Sequence, residues 1–132
     1  MKKILSLLSF ILLLAVVVNA QNIVADSTYL VDSPPEFKDG LKGYSRFIER
    51  MLDRDLPKRK GAPEGIYSVT IRFTVNIDGT LSDITIDNDP GYEAAGEVKR
   101  VISKTSKMWI PAKLNNQPIA YRTYRRISFM VF

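Results

Sequence analysis

The sequence has no cysteine and no histidine in 132 residues. The first absence removes disulfides, thiolate nucleophiles and sulfur-ligated zinc or iron. The second removes the imidazole on which Ser-His-Asp and Cys-His nucleophilic sites depend. Carboxylates, Lys, Tyr and Ser remain for any chemistry, so the expectation is a non-catalytic protein with no cofactor and no metal. Internal repeats and low-complexity segments are also missing. What is present is an ordinary globular composition, 45% apolar and 25% charged, sized for one domain with no room for a second.

Long hydrophobic runs are scarce, and the one that occurs is N-terminal. Met1-Lys2-Lys3 is a positive start, and Ile4 to Val18 is an almost unbroken apolar run of fifteen residues. As a helix it would span about 22 Å, short of the roughly 20 residues a membrane crossing prefers. Small residues follow at Val18-Asn19-Ala20, so residues 1–20 read as a cleaved secretory signal and the rest as exported. The alternative is an uncleaved inner-membrane anchor with both lysines in the cytoplasm. No Cys follows the run, so lipid attachment to a mature N-terminal cysteine is excluded. Two of the 19 basic residues leave with the signal, giving 17 against 14 acids, or about +3. They are scattered, with local groups at Lys58-Arg59-Lys60 and at Arg122, Arg125 and Arg126. That is too thin for a nucleic-acid footprint.

Residues 21–34 are polar, lack a sustained period and end at Pro34-Pro35, which reads as a short tether. Pro35 to Phe132 then holds the elements of one compact unit. Leu41, Tyr44, Phe47, Ile48, Met51 and Leu52 recur at helical spacing, predicting an amphipathic helix over 41–52. Leu56-Pro57 and the breaker-rich stretch to Gly65 predict a loop. From Ile66 to Ile77, Tyr67, Val69, Ile71, Phe73, Val75 and Ile77 alternate with Ser68, Thr70, Arg72, Thr74 and Asn76, the pattern of a strand with one wet face. Asp78-Gly79 suggests a type I′ turn with two positive φ values, returning through Thr80 to Asp87. Leu81 is out of phase with Ile84 and Ile86, which suggests a bulge or twist near the turn. Asn88-Asp89-Pro90 supplies a cap and a first-turn Pro for a second helix carrying Ala94, Ala95, Val98, Val101, Ile102 and Thr105. Met108 to Pro111 closes it, Asn115 to Pro118 is a turn, and Tyr121 to Phe132 is a last strand. The expected fold class is α+β: about three antiparallel strands with two helices on one face, in the order α-β-β-α-β.

The ordered set Pro35-Glu36-Phe37 with Gly40, Phe47-Ile48, Leu56-Pro57, Gly65-Ile66, Val69 to Gly79, Pro90-Gly91-Tyr92, Trp109-Ile110-Pro111-Ala112 and Asn115 to Ile119 resembles the C-terminal domain of the TonB energy-transducer family. The resemblance spans 35–132. It implies a periplasmic domain that grips a short extended peptide near the N-terminus of a TonB-dependent outer-membrane transporter, by strand addition to an exposed sheet edge. In the family the last long strand forms that edge. Here it maps onto Tyr121 to Phe132, with Tyr121, Arg122, Thr123, Tyr124, Arg125, Arg126 and Ser128 as the expected partner-binding residues. Two departures stand out. Only residues 21–34, at most about 49 Å when extended, replace the family's long Pro-rich linker. The family's Tyr between Leu56 and Pro57 is missing, and Lys58 to Glu64 reads as loop where the family has a helical turn.

Other candidates have competing readings. Trp109 fits either a partner anchor or a lid over the core. Asp83, Asp87, Asn88 and Asp89 could form an oxygen-rich calcium site, and Asp83 with Asp87 a hydrolytic pair. They lack EF-hand spacing and serve equally well as turn and cap residues. Arg122, Arg125 and Arg126 are edge-protecting charges, charges that meet an acidic peptide, or both. The reading is therefore a peptide-binding accessory to TonB-dependent transport. The alternatives are a self-associating or polyanion-holding envelope module that could homodimerise through its edge, and a short anchored transducer.

Overall fold

The alternation between Ile66 and Ile77 becomes the central strand of the molecule. The computed structural model of the chain describes residues 24–26 and 30–132, and the expected signal, 1–20, lies outside them. In chain order the elements are β1 (Val24–Asp26), β2 (Glu36–Phe37), α1 (Gly40–Met51), α2 (Leu56–Arg59), β3 (Gly65–Val75), β4 (Leu81–Asn88), α3 (Ala94–Ser103), β5 (Trp109–Ile110), β6 (Ala112–Leu114) and β7 (Gln117–Val131). The fold is α+β. β3 pairs antiparallel with β4 on one side and with β7 on the other, the latter in unbroken register from Gly65↔Val131 to Val75↔Tyr121. β1 lies along the far side of β7, parallel to it, β6 forms a hairpin with β7, and β2 pairs with β5 in a separate ribbon. No helix among the described residues is long and apolar enough to cross a membrane.

β3, β4 and β7 lie where strands were expected, but β7 begins at Gln117 instead of Tyr121, taking in Gln117 and Pro118 of the expected turn because β6 pairs with it there, and β1 and β6 enlarge the sheet. The tether is partly structured: Val24–Asp26 is a strand, and Ser33 bridges Lys113. Ala25 is buried with Ala112 and Tyr121, and Val31 and Ile119 pack against them. β6 escaped the sequence reading because three residues carry no period.

Val69, Ile71, Phe73 and Val75 are fully buried, as are Val98, Val101 and Ile102 of α3. Phe47 and Ile48 of α1 and Ile127 and Phe129 of β7 complete the core. Trp109 closes it, packing edge-on to Phe37 at 5.6 Å between centroids and tilted on Phe73 at 5.4 Å. Its indole Nε1–H donates to Thr105 Oγ1 at 2.9 Å, so the lid reading holds. Glu97 fastens the end of α1 to α3. It accepts from the Asp53 backbone N–H at 2.9 Å and from Arg100, whose guanidinium also donates to Met51 O. The Arg100 hydrogen bonds hold the Glu97 carboxyl below its usual range.

Four expectations are corrected. Leu56–Arg59 is a turn of helix with Pro57 in its first turn, where the missing N–H costs nothing, and not the start of a loop. The β3–β4 turn has one positive φ, at Gly79 (+81°), and none at Asp78, so it is not type I′. Gly79 N–H donates to Asn76 O, and Asn76 N–H to Thr80 O. A Cβ on Gly79 would sit 2.4 Å from Trp109 O, so both conformation and contact require glycine. Helix α3 begins at Ala94 because Asp89 accepts from Gly91 N–H and Tyr92 and Glu93 take positive φ, which delays the helix beyond Pro90. Finally, Leu41 and Ile77, read as core, are 79% and 47% exposed. The bulge near the turn is present: the β3–β4 register slips between Arg72 and Thr74, opposite Asp83 at φ +50°.

Phe73→Ala should cost about 3 to 5 kcal/mol, the usual range for a fully buried Phe. Urea denaturation of the variant and parent measures it, and a loss under about 1 kcal/mol would contradict the core assignment.

Candidate functional site

β7 alternates cleanly. Tyr121, Thr123, Ile127, Phe129 and Val131 are buried on the helix-facing side, while Tyr124, Arg126, Ser128 and Met130 are exposed on the other. Its outer edge is covered by β1 at Ala120 to Arg122. From Thr123 to Val131 that edge has no strand partner among the described residues. Nine residues at about 3.4 Å each give roughly 30 Å of open edge.

Which backbone groups point outward follows from β3. In an antiparallel ladder, directly opposed residues alternate between exchanging hydrogen bonds and turning their polar groups away. Ser68 O accepts from Asn88 Nδ2 on the β4 side, and Asn76 N–H donates to Thr80 O on that side too. Even-numbered residues of β3 therefore face β4 and odd-numbered ones face β7. Because Val69 opposes Ile127 and Phe73 opposes Thr123, odd residues of β7 bond to β3. The N–H and C=O of Tyr124, Arg126, Ser128 and Met130 are left on the open edge.

Helix α1 runs beside this edge and forms two clefts with it, divided by Tyr44. The first, about 150 Å³, is lined by residues that include Pro35, Glu36, Leu41, Tyr44 and Arg125. The second, about 220 Å³, includes Tyr44, Ile48, Glu49, Arg54, Arg126 and Ile127. The Arg125 guanidinium carbon lies 5.1 Å from the Trp109 ring centre and 5.7 Å from that of Tyr44. Arg125 Nη1 donates to Tyr124 O at 2.7 Å. The Tyr44 hydroxyl is buried with no partner among the described residues. Burial pushes the Tyr44 phenol up to about 12, against the opposing pull of Arg125.

The expected site residues divide. Tyr124, Arg125, Arg126 and Ser128 border the open edge. Tyr121 and Thr123 point into the protein, so only their backbones belong to the strand's course. Arg122 is engaged across the sheet, donating to Asp83 O at 2.8 Å and Thr85 Oγ1 at 2.9 Å, which straps the bulge of β4. Ser128 Oγ is 2.8 Å from Ser68 Oγ. Leu41, Tyr44 and Glu36 were not read as site residues. Tyr44 is indistinguishable in sequence from its core neighbours on α1, although an exposed Leu41 on the same stripe is the trace of a groove. Two of the carboxylates considered for calcium or hydrolysis are engaged elsewhere: Asp87 pairs with Arg72 at 2.9 Å, and Asp89 accepts from Gly91 N–H. Among the described residues no group of three or more metal-ligating side chains converges.

Comparison with family models, with curated proteins and with solved structures returns no match to this chain.

The edge assignment separates two neighbouring substitutions. Thr123→Pro removes a donor to Phe73 and should cost at least about 2 kcal/mol, whereas Tyr124→Pro removes an outward N–H and should cost about 1 kcal/mol or less. Urea midpoints decide between them, and the reverse order would mean the outward parity is wrong.

Proposed function

We propose that the chain is an exported, non-catalytic module of TonB C-terminal type, with β4, β3 and β7 as the family's sheet. It binds an extended segment of an envelope partner, a TonB-dependent outer-membrane transporter, by strand addition along β7. The observation that carries this reading is the outer edge of β7. The chain's own β1 already adds to it at Ala120 to Arg122, and the next nine residues present unpaired donors and acceptors beside two clefts. Main-chain bonds supply affinity in this mode, and clefts flanking the edge sort alternate side chains. The resemblance in sequence points to the same strand.

A specific feature favours a second reading, self-association through this edge. Ile66 and Met130 are cross-strand partners on the outer face, 70% and 59% exposed, and Phe132 lies exposed just beyond. Such an apolar strip beside an open edge suits a second copy.

Titration of the purified chain with peptides from the periplasmic N-termini of transporters tests both. The parent should bind, and Tyr124→Pro, though folded, should lose tenfold or more in affinity. Arg126→Glu should slow association and flatten the salt dependence for an acidic peptide without abolishing binding. Failure of every peptide to bind, with sedimentation of the parent as a dimer that Tyr124→Pro dissociates, would replace the first reading by the second.

Export has its own test. Protein recovered from the envelope should begin at Gln21 on N-terminal sequencing. An intact N-terminus in the inner membrane would instead indicate an anchored transducer.

A further inference from the structure

Arg125 is placed unlike its neighbours in the basic cluster of β7. Its side chain turns to the helix side, where it lies over Trp109 and Tyr44, and its Nη1 donates to Tyr124 O. That carbonyl is one of the outward acceptors of the open edge. Arg54, Arg59, Arg72 and Arg100 each pair with a carboxylate, yet Arg125 has none within ion-pair distance among the described residues. Glu36 lines the same cleft without forming a pair with it. The guanidinium therefore covers a docking acceptor with no carboxylate partner among the described residues, and it lies over the ring of Tyr44, whose buried hydroxyl has no partner there either.

We propose that Arg125 is a displaceable latch on the docking edge and the residue that selects an acidic side chain in the incoming strand. The inference rests on the strand-addition reading and names the partner's chemistry. A strand that adds to β7 must give an N–H to Tyr124 O, so Arg125 has to leave that oxygen. If the strand carries a carboxylate on its helix-facing side, the released guanidinium gains a charge-assisted, fork-shaped partner in exchange for a bond to a neutral carbonyl. A strand with an amide or apolar group there displaces Arg125 and returns less. Glu36 sharpens the difference, because its charge repels an incoming carboxylate unless Arg125 stands between them. The shift also uncovers the Tyr44 hydroxyl as a donor to the strand. An arginine that only protected the edge would oppose all strands alike. One that exchanges partners opposes those without an acid.

The test is a two-by-two cycle on the full chain. Nonapeptides from transporter N-termini are used in their acidic form and with each carboxylate replaced by its amide, and Trp109, the single tryptophan, reports binding by fluorescence. The parent should prefer the acidic form by about tenfold, with a change in emission as the cation leaves the indole. Arg125→Gln should bind both forms equally and bind the amide form at least as well as the parent does, because the latch is gone. Loss of packing alone would not produce that gain. Arg125→Lys, which keeps the charge without the fork, should show a smaller preference, and it decides the matter if Arg125→Gln does not fold. An acid preference unchanged in the substituted proteins would overturn the role of Arg125 while leaving strand addition standing. If no peptide binds the parent, strand addition itself fails and this inference with it.

Discussion

The pairing of β3 with β7 is the constraint on which the rest depends. Its unbroken register from Gly65↔Val131 to Val75↔Tyr121 fixes two alternations at once. One concerns side chains: Val69, Ile71 and Phe73 go to the helix side with Ile127 and Phe129, while Ser68, Arg72 and Ser128 stay wet. The other concerns backbone groups: the odd residues of β7 are consumed by β3 and the even ones are left for the outer edge. Because both alternations have period two, a slip of one residue would bury Tyr124 and Arg126, expose Ile127 and Phe129, and exchange the outward donors. The core and the candidate docking edge are therefore specified by the same register.

A strand edge alone is not selective, and the clefts that flank this one depend on where α1 sits. Three contacts set that position. Phe47 and Ile48 enter the core, Phe37 and Trp109 brace the aromatic end near Tyr44, and Glu97 with Arg100 holds the C-terminal end at Asp53 and Met51. Trp109 is central to this arrangement because it touches Phe73 of the sheet, Phe37 of the β2–β5 ribbon and the cation of Arg125. The side chain that seals the core thus also holds the arginine at the edge.

The long periodic elements were legible in sequence and the short ones were not. β3, β4, α1 and the core half of β7 follow from alternation or helical spacing within one segment. β1, β6 and the β2–β5 ribbon contain two or three residues each and exist only because a distant strand is there to receive them. The start of α3 was misplaced because Pro90 suits a first turn, while the Asp89 side chain instead closes a turn on Gly91. For the site, the strand was legible and its edge was not: of the seven side chains expected there, Tyr121 and Thr123 point inward and Arg122 is tied to Asp83 and Thr85, which leaves four beside the edge. Side-chain direction on an edge strand depends on its partners, which a single segment does not contain.

An open strand edge is an aggregation hazard, and this chain limits it without closing it. β1 covers Ala120 to Arg122, held by a small buried cluster of Ala25, Ala112 and Tyr121. Arg125 then blocks one acceptor, and the exposed charge of Arg126 follows two residues beyond Tyr124. A covering strand deters every intruder equally, since what it hides is backbone. A side chain that occupies a backbone acceptor is different, because it can be exchanged for something better. On the proposed reading, protection of the edge and selection of one class of strand are then two consequences of one arginine that has no carboxylate partner among the described residues.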